Sequence, residues 1–169
     1  MQRTINQERD SRLRPAAPAA PDAERGVNVT VVYEDAAAQA WAQEACEQIF
    51  VGLDWERAQS TWWKLDDLRA PAVLAGAVSK AMRADVVVVA IRTTEGFPLP
   101  FYVWVSSWLP HRFPGEGTLA ALIATPKSPV LHKNRAVEYL GAVAKRAGMR
   151  FQVTERDLAF EAPRLLEAA

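Results

Sequence analysis

Hydrophobic residues along this chain fall into short runs separated by longer amphipathic segments. The short runs are rich in β-branched, aromatic or other apolar residues, a composition typical of strands. The third and fourth runs, VVVVAI and TLAALIA, are almost uniformly apolar, which indicates central parallel strands covered by helices on both faces. Strands are predicted over residues 27–33, 60–65, 86–91, 118–124 and 150–153.

The intervening segments carry apolar residues at helical spacing. In the third of them Phe101, Trp104, Val105 and Trp108 share one face, which is predicted to pack on the sheet. Residues 102 and 103 lie off that face and leave room for an apolar interface patch. Helices are predicted over residues 36–51, 67–83, 98–109 and 130–147, with Asp35 as the cap of the first.

Strands that alternate with helices predict an α/β fold with a three-layer, doubly wound, parallel five-stranded sheet. Trp62 and Trp63 are adjacent in the second strand, so their side chains point to opposite faces. An edge strand with a partly covered outer face tolerates that arrangement. Strand two is therefore predicted at an edge, and the strand order 2-1-3-4-5 across the sheet fits best.

The ends of the chain differ in composition from the middle. Residues 1–26 are polar and then rich in Ala and Pro, so we expect a flexible N-terminal arm. Residues 27–157 are expected to form the folded domain, and residues 158–169 a C-terminal helix or tail.

Composition excludes several classes of protein. Twenty basic side chains balance twenty acidic ones, so nothing favours a nucleic-acid partner. The single cysteine, Cys46, excludes an intrachain disulfide and is expected to be a small buried residue. No apolar run approaches the roughly 20 residues of a membrane helix, so we expect a cytoplasmic protein without membrane contact. His111 and His132 lack further ligands in the sequence, and no metal is predicted.

In a sheet of this order, ligands bind beyond the carboxyl ends of the first and third strands, where the winding reverses. The loops after strands one, three and four are therefore the candidate ligand-binding site. Asp35 is interpreted as the helix cap and Glu34 as a solvated carboxylate. The candidate residues are Glu34, Asp35, Arg92, Thr93, Thr94, Glu95, Thr125 and Lys127.

The segment ADVVVVAIRTTEGFPLPFYVWVSSWL, residues 84–109, resembles the flavodoxin-like FMN reductases. The likeness lies in the Ala-Asp before the strand, the small loop, the Pro and the end of the helix. It implies an FMN cofactor. Those proteins hold the phosphate after strand one with Ser, Thr and Gly, whereas this chain has Glu34-Asp35-Ala36-Ala37, whose carboxylates would repel a phosphate. The flavin-stacking aromatic is also missing, unless Phe97 serves.

Two further resemblances cover other residues. Glu34, Asp35 and Thr125 resemble the site of response-regulator receiver domains, but Ala90 and Ile91 stand where the phosphoacceptor Asp belongs. The motifs VVYED, WWKLDDL, ADVVVVA, SSWL and RAGMRF, over residues 28–152, resemble small uncharacterised bacterial proteins of flavodoxin-like shape. This last resemblance implies the flavodoxin-like fold and no established activity.

No catalytic constellation appears in the sequence, so the leading hypothesis is a non-catalytic interaction or regulatory module without a cofactor. Its partner is unknown, and a homodimer is one form it could take. One alternative is an FMN-binding oxidoreductase with an atypical phosphate site. Another is a sensor of a small anionic ligand. Both alternatives would draw their anion contacts from Arg92, Thr93, Thr94 and Lys127.

Overall fold

A computed structural model describes residues 26–49, 58–92, 96–112, 116–125 and 135–157. The strands form one parallel sheet in the order β2-β1-β3-β4-β5, which confirms the predicted fold class. The predicted N-terminal arm up to residue 25, the start of the fourth helix at 130–134 and the C-terminal helix or tail lie outside the described residues. The strands are β1 (Asn28–Tyr33), β2 (Gln59–Lys64), β3 (Val86–Ile91), β4 (Thr118–Thr125) and β5 (Arg150–Asp157). The helices are α1 (Ala36–Ile49), α2 (Pro71–Arg83), α3 (Leu99–Trp108) and α4 (Arg135–Ala147).

The sheet separates two apolar cores. On one face α1 packs over Val29, Val31 and Val88, with Trp41 and Cys46 among its buried residues. On the other face α2, α3 and α4 pack over the alternate residues of the same strands. All six residues of β3 are buried, because successive side chains enter opposite cores. This burial confirms the predicted position of β3 at the centre of the sheet.

The aromatic stripe of α3 faces the sheet, as predicted. Phe101, Trp104, Val105 and Trp108 are all buried there. Val103 and Leu99, one turn apart on the outer surface of α3, are 39% and 73% exposed. Among the described residues, no helix is long and apolar enough to cross a membrane.

The two adjacent tryptophans of β2 lie on opposite faces of the sheet, as predicted. Trp62 packs beside Tyr33 on the α1 face, with ring centroids 6.4 Å apart. Trp63 packs against α2, where a Cβ on Gly76 would lie only 3.0 Å from its ring. Each indole N–H donates to a hydroxyl two residues earlier, Trp62 to Ser60 and Trp63 to Thr61, both at 3.1 Å. The two tryptophans thus pack the edge strand β2 against its neighbours on both faces of the sheet.

The predicted helix over residues 67–83 is wrong at its start. Residues Leu65–Arg69 form a 3-10 helix, and α2 begins only at Pro71. Ala70 is extended, with φ −78° and ψ 125°. A proline disfavours the helical conformation in the residue before it, so Pro71 begins a new helix.

The fifth strand is longer than predicted. It was expected over residues 150–153, but β5 continues to Asp157 and pairs with β4 along its whole length. Residues 152–155 are exposed because β5 lies at an edge of the described sheet. Its polar sequence therefore lacks the apolar pattern on which the prediction depended.

Arg112 binds the carboxyl end of α2 near the amino edge of the sheet. Its guanidinium donates to the carbonyl oxygens of Ala81 at 3.0 Å and Ala84 at 2.7 Å, at the carboxyl end of α2. Burial lowers the pKa of Arg112, and the carboxylate of Asp85 opposes that shift. Gly117 leaves room for this guanidinium, because a Cβ there would collide with it.

We expect Arg112→Ala to lower the free energy of unfolding by about 1–3 kcal/mol, because the Ala84 carbonyl loses its donor and the Ala81 carbonyl keeps only the Ala84 amide at 3.4 Å. Gly117→Ala should also destabilise, by displacing the guanidinium. Arg150→Ala is the control, since Arg150 is exposed, and it should stay within about 0.5 kcal/mol of wild type. Urea denaturation measures the free energy of unfolding of all three variants. Equal losses for Arg112→Ala and Arg150→Ala would contradict a structural role for the Arg112 hydrogen bonds.

Cys46 is fully buried in α1, as expected. Burial, and secondarily the charge of Glu47, raises the pKa of its thiol from 9.0 to about 11. We therefore expect the native thiol to resist a disulfide reagent such as DTNB at pH 8 and to react once urea unfolds the chain. The unfolded thiol ionises first, so this group should lower stability as the pH rises from 9.0 to about 11. Rapid modification of the native protein would show that the thiol is accessible.

Candidate functional site

The carboxyl ends of β1 and β3 lie side by side in the sheet. Glu34 and Asp35 follow β1, and Arg92 follows β3. The Glu34 amide donates to the Ala90 carbonyl at 3.0 Å and so carries the β1–β3 pairing one residue beyond β1. The structure thus brings these three candidate residues together at the point where the strand order reverses.

Asp35 caps α1, as predicted. Its Oδ1 accepts a hydrogen bond of 2.9 Å from the Ala38 amide, and its carbonyl accepts the Gln39 amide at 2.9 Å. A carboxylate at this position satisfies a helical amide and complements the positive end of the helix dipole. The position is also the one at which a helix N-terminus binds a phosphate.

Glu34 crosses from β1 to β3. Its Oε2 accepts the backbone N–H of Arg92 at 2.6 Å, a short, charge-assisted hydrogen bond. The interpretation of Glu34 as a solvated carboxylate is therefore wrong. The contact spans 58 residues of sequence, so only the pairing of β1 with β3 creates it.

Arg92 completes the arrangement through its side chain. Its Nη1 lies 3.1 Å from Oδ2 of Asp35, with the two side chains 38% and 39% exposed. An ion pair this exposed contributes little stability, and its effect here is mainly to orient the two side chains. We call the set Glu34, Asp35 and Arg92 the switch-point clamp.

The clamp places two carboxylates at the edge of the sheet where doubly wound folds bind phosphates. A phosphate at this edge needs N–H donors from the first turn of α1 and from the loop after β3. The Ala38 amide already binds Asp35, and the Arg92 amide already binds Glu34. The Arg92 guanidinium is also paired with Asp35. The clamp's carboxylates therefore bind two N–H donors at this edge, one from the first turn of α1 and one after β3.

The remaining candidate residues are less fully placed. Thr125 is the last residue of β4, at the same edge of the sheet, and only its backbone is described. Thr93, Thr94, Glu95 and Lys127 lie outside the described residues. Among the residues that are described, no group of three or more His, Cys, Asp or Glu side chains could hold a metal ion. His111 is exposed, and His132 is also outside the described part.

An aromatic cluster forms where α3 and α4 meet, and only part of it is predicted from the sequence. Phe97, the aromatic considered for flavin stacking, is stacked on Phe101 with ring centroids 3.9 Å apart. Its backbone N–H donates to the Tyr102 hydroxyl at 3.2 Å. The ring of Tyr102 lies 4.9 Å from that of Tyr139, which α4 contributes. Burial and the nearby Tyr102 raise the pKa of Tyr139, and Arg146 opposes that shift.

Phe97 is only 9% exposed, so its ring belongs to the core and presents no open stacking surface. Tyr139 was missed because nothing near it in the sequence indicates a site. Only the packing of α4 beside α3 brings it to Tyr102.

Comparisons with known proteins show the fold and nothing finer. No protein-family model matches the chain, and no curated protein matches it in sequence. Among solved structures, a flavodoxin of Streptococcus pneumoniae TIGR4 superposes with a TM-score of 0.53 at 14% identity, over 77% of this chain and 84% of that one. The Trp repressor binding protein of Bacillus subtilis gives a TM-score of 0.48 at 10% identity, over 76% of this chain and 85% of that one. The first of these likenesses shows that the chain has a flavodoxin-like fold.

We expect Glu34→Ala to lower the free energy of unfolding by about 1–3 kcal/mol, because the Arg92 amide loses its charged acceptor. Asp35→Asn retains an acceptor for the cap and removes the ion pair, so it should cost less than about 1 kcal/mol. Urea denaturation with Glu155→Ala, an exposed carboxylate of β5, as the control measures these changes. A loss for Glu34→Ala no larger than that for Glu155→Ala would contradict a structural role for the Glu34 contact.

Proposed function

We propose that this protein is a non-catalytic interaction or regulatory module with a flavodoxin-like fold. The observation that carries the proposal is the switch-point clamp. In it two of the chain's own carboxylates accept N–H groups at the edge where this fold binds phosphates, which supports the proposal. In this proposal the edge of the sheet that usually binds a ligand holds β1, β3 and α1 together instead.

The outer surface of α3 supports the interaction role. Leu99 and Val103 are the large apolar side chains exposed there, and α3 contains no charged residue. The hydroxyls of Ser106 and Ser107 both donate to the Val103 carbonyl, at 3.1 and 2.6 Å. A partner that covered this surface would therefore strip little water from charged groups or free donors.

The alternative, a flavin-binding oxidoreductase, draws its support from the flavodoxin-like fold. One fold hosts many functions, so the fold alone carries little weight for this chain. A sensor that bound an anion through Arg92 would first have to break the Arg92–Asp35 pair. The clamp therefore favours the non-catalytic proposal over both alternatives.

We expect the purified full-length protein to show no flavin absorbance and to take up no FMN on titration. The physical reason is that the clamp places Glu34 and Asp35 where the phosphate would need donors. Isothermal titration with FMN, and with riboflavin, which lacks the phosphate, measures this directly.

The Asp35→Asn variant sharpens the experiment, because it removes one charge from the clamp and retains the helix cap. Saturable uptake of FMN by the wild-type protein, tightened by Asp35→Asn, would overturn the proposal and establish an atypical phosphate site. Uptake of riboflavin and FMN with equal affinity would also overturn the proposal. That result would show that the protein binds the isoalloxazine ring and not the phosphate.

A further inference from the structure

A second polar site lies at the opposite edge of the sheet from the switch-point clamp. A cavity of about 180 Å³ opens at the amino ends of β1 and β2, beside the last turn of α2. Its lining includes the hydroxyls of Thr30 and Thr61 and the cationic side chains of Lys80 and Arg83. No Asp or Glu of the described chain lines it.

Thr30 is the buried polar side chain of the described residues, at 1% exposure. Its hydroxyl lies 3.4 Å from that of Thr61, whereas a good O–H···O bond measures about 2.5–3.0 Å. The Thr61 hydroxyl also accepts the Trp63 indole N–H at 3.1 Å.

The hydroxyls of Thr30 and Thr61 carry one more hydrogen than their mutual contact can use. Two hydroxyl hydrogens are present, and the long contact between the oxygens can use only one of them. Within the described part of the chain, the other hydrogen has no acceptor. Because a buried donor without an acceptor costs free energy, an acceptor atom in the adjacent cavity would stabilise the pair.

Within the described part of the chain, the carbonyls at the carboxyl end of α2 and the carboxylate of Asp85 already have partners. Arg112 binds the carbonyls of Ala81 and Ala84 at the carboxyl end of α2. The carboxylate of Asp85 accepts the Asn28 amide at 2.9 Å. The positive charge of Arg112 offsets the negative end of the α2 dipole and the charge of Asp85. The cavity wall itself contributes the charges of Lys80 and of Arg83, which stays protonated whatever else it contacts.

We propose that this cavity binds a small oxyanion, either inorganic phosphate or the phosphate group of a small monoester. Lys80 and Arg83 supply the charge, and the Thr30–Thr61 pair donates its spare hydroxyl hydrogen to an anion oxygen. The cavity volume is below the roughly 300–1,000 Å³ of pockets for drug-sized ligands, which favours a small ligand. The site is independent of the proposed function, because it shares no residue with the clamp.

Titration of the ¹⁵N-labelled full-length protein with inorganic phosphate, at ionic strength held constant with chloride, tests the proposal. We expect saturable shifts of the Thr30 and Thr61 amides and of the Trp63 indole N–H. The amides of Glu34 and Arg92 should not move, which separates this site from the clamp. A parallel titration with glycerol phosphate shows whether a monoester binds as well as the free ion.

Matched variants decide whether the binding is specific. Lys80→Gln with Arg83→Gln should weaken phosphate binding by about tenfold or more, since charge-assisted hydrogen bonds are lost. Lys145→Gln with Arg146→Gln removes the same charge from the last turn of α4 and should leave the affinity within about twofold.

Thr30→Val keeps the shape of the buried side chain and removes the hydroxyl. It should preserve or raise the stability of the protein, because the hydroxyl is poorly satisfied without an anion, and it should weaken phosphate binding. The proposal is overturned if no saturable shift occurs, if both double variants weaken binding equally, or if Thr30→Val binds phosphate as well as wild type.

Discussion

β3 carries apolar side chains on both faces, and the rest of the structure depends on covering them. A strand of this kind is stable only when helices pack on each side of the sheet. α1 covers one face, and α2, α3 and α4 cover the other. The crossovers that place helices on both sides make the winding reverse between β1 and β3. Glu34, Asp35 and Arg92 meet because they follow these two strands.

The clamp lies at the edge of the sheet where doubly wound folds bind their ligands. Doubly wound folds bind ligands at the carboxyl edge because backbone amides there lack partners. Here the side chains of Glu34 and Asp35 satisfy the amides of Arg92 and Ala38. Through these two hydrogen bonds, Glu34 connects β1 with the end of β3, and Asp35 connects β1 with α1. Glu34 and Asp35 thus join β1, β3 and α1 at the carboxyl edge of the sheet.

The amino edge of the sheet shows the complementary arrangement. Arg112 and the Asn28 amide satisfy the acceptors there, and burial within this set is what lowers the pKa of the Arg112 guanidinium. The Thr30 hydroxyl, by contrast, is buried with only a long contact. The two edges differ in their hydrogen bonding. The clamp's carboxylates bind N–H donors, whereas at the amino edge the Thr30 hydroxyl makes only a long contact and Nε of Arg112 has no partner among the described residues. A donor without a close acceptor favours an anion, so we place the proposed phosphate site at the amino edge. Doubly wound folds bind their ligands more often at the carboxyl edge.

The sequence by itself determined the fold class, the strand order, the central position of β3, the inward face of α3 and the cap at Asp35. These features depend on local periodicity and on single-residue preferences, which are present in the chain before it folds. The prediction failed at Ala70, where Pro71 overrides a helical pattern, and in β5, where an exposed edge strand carries no apolar signal. Only the tertiary structure decided that Glu34 binds the Arg92 amide, that Tyr139 reaches Tyr102 and that Thr30 lies beside Lys80. Those contacts join residues far apart in the chain, so no local pattern encodes them and only the packing of the elements creates them.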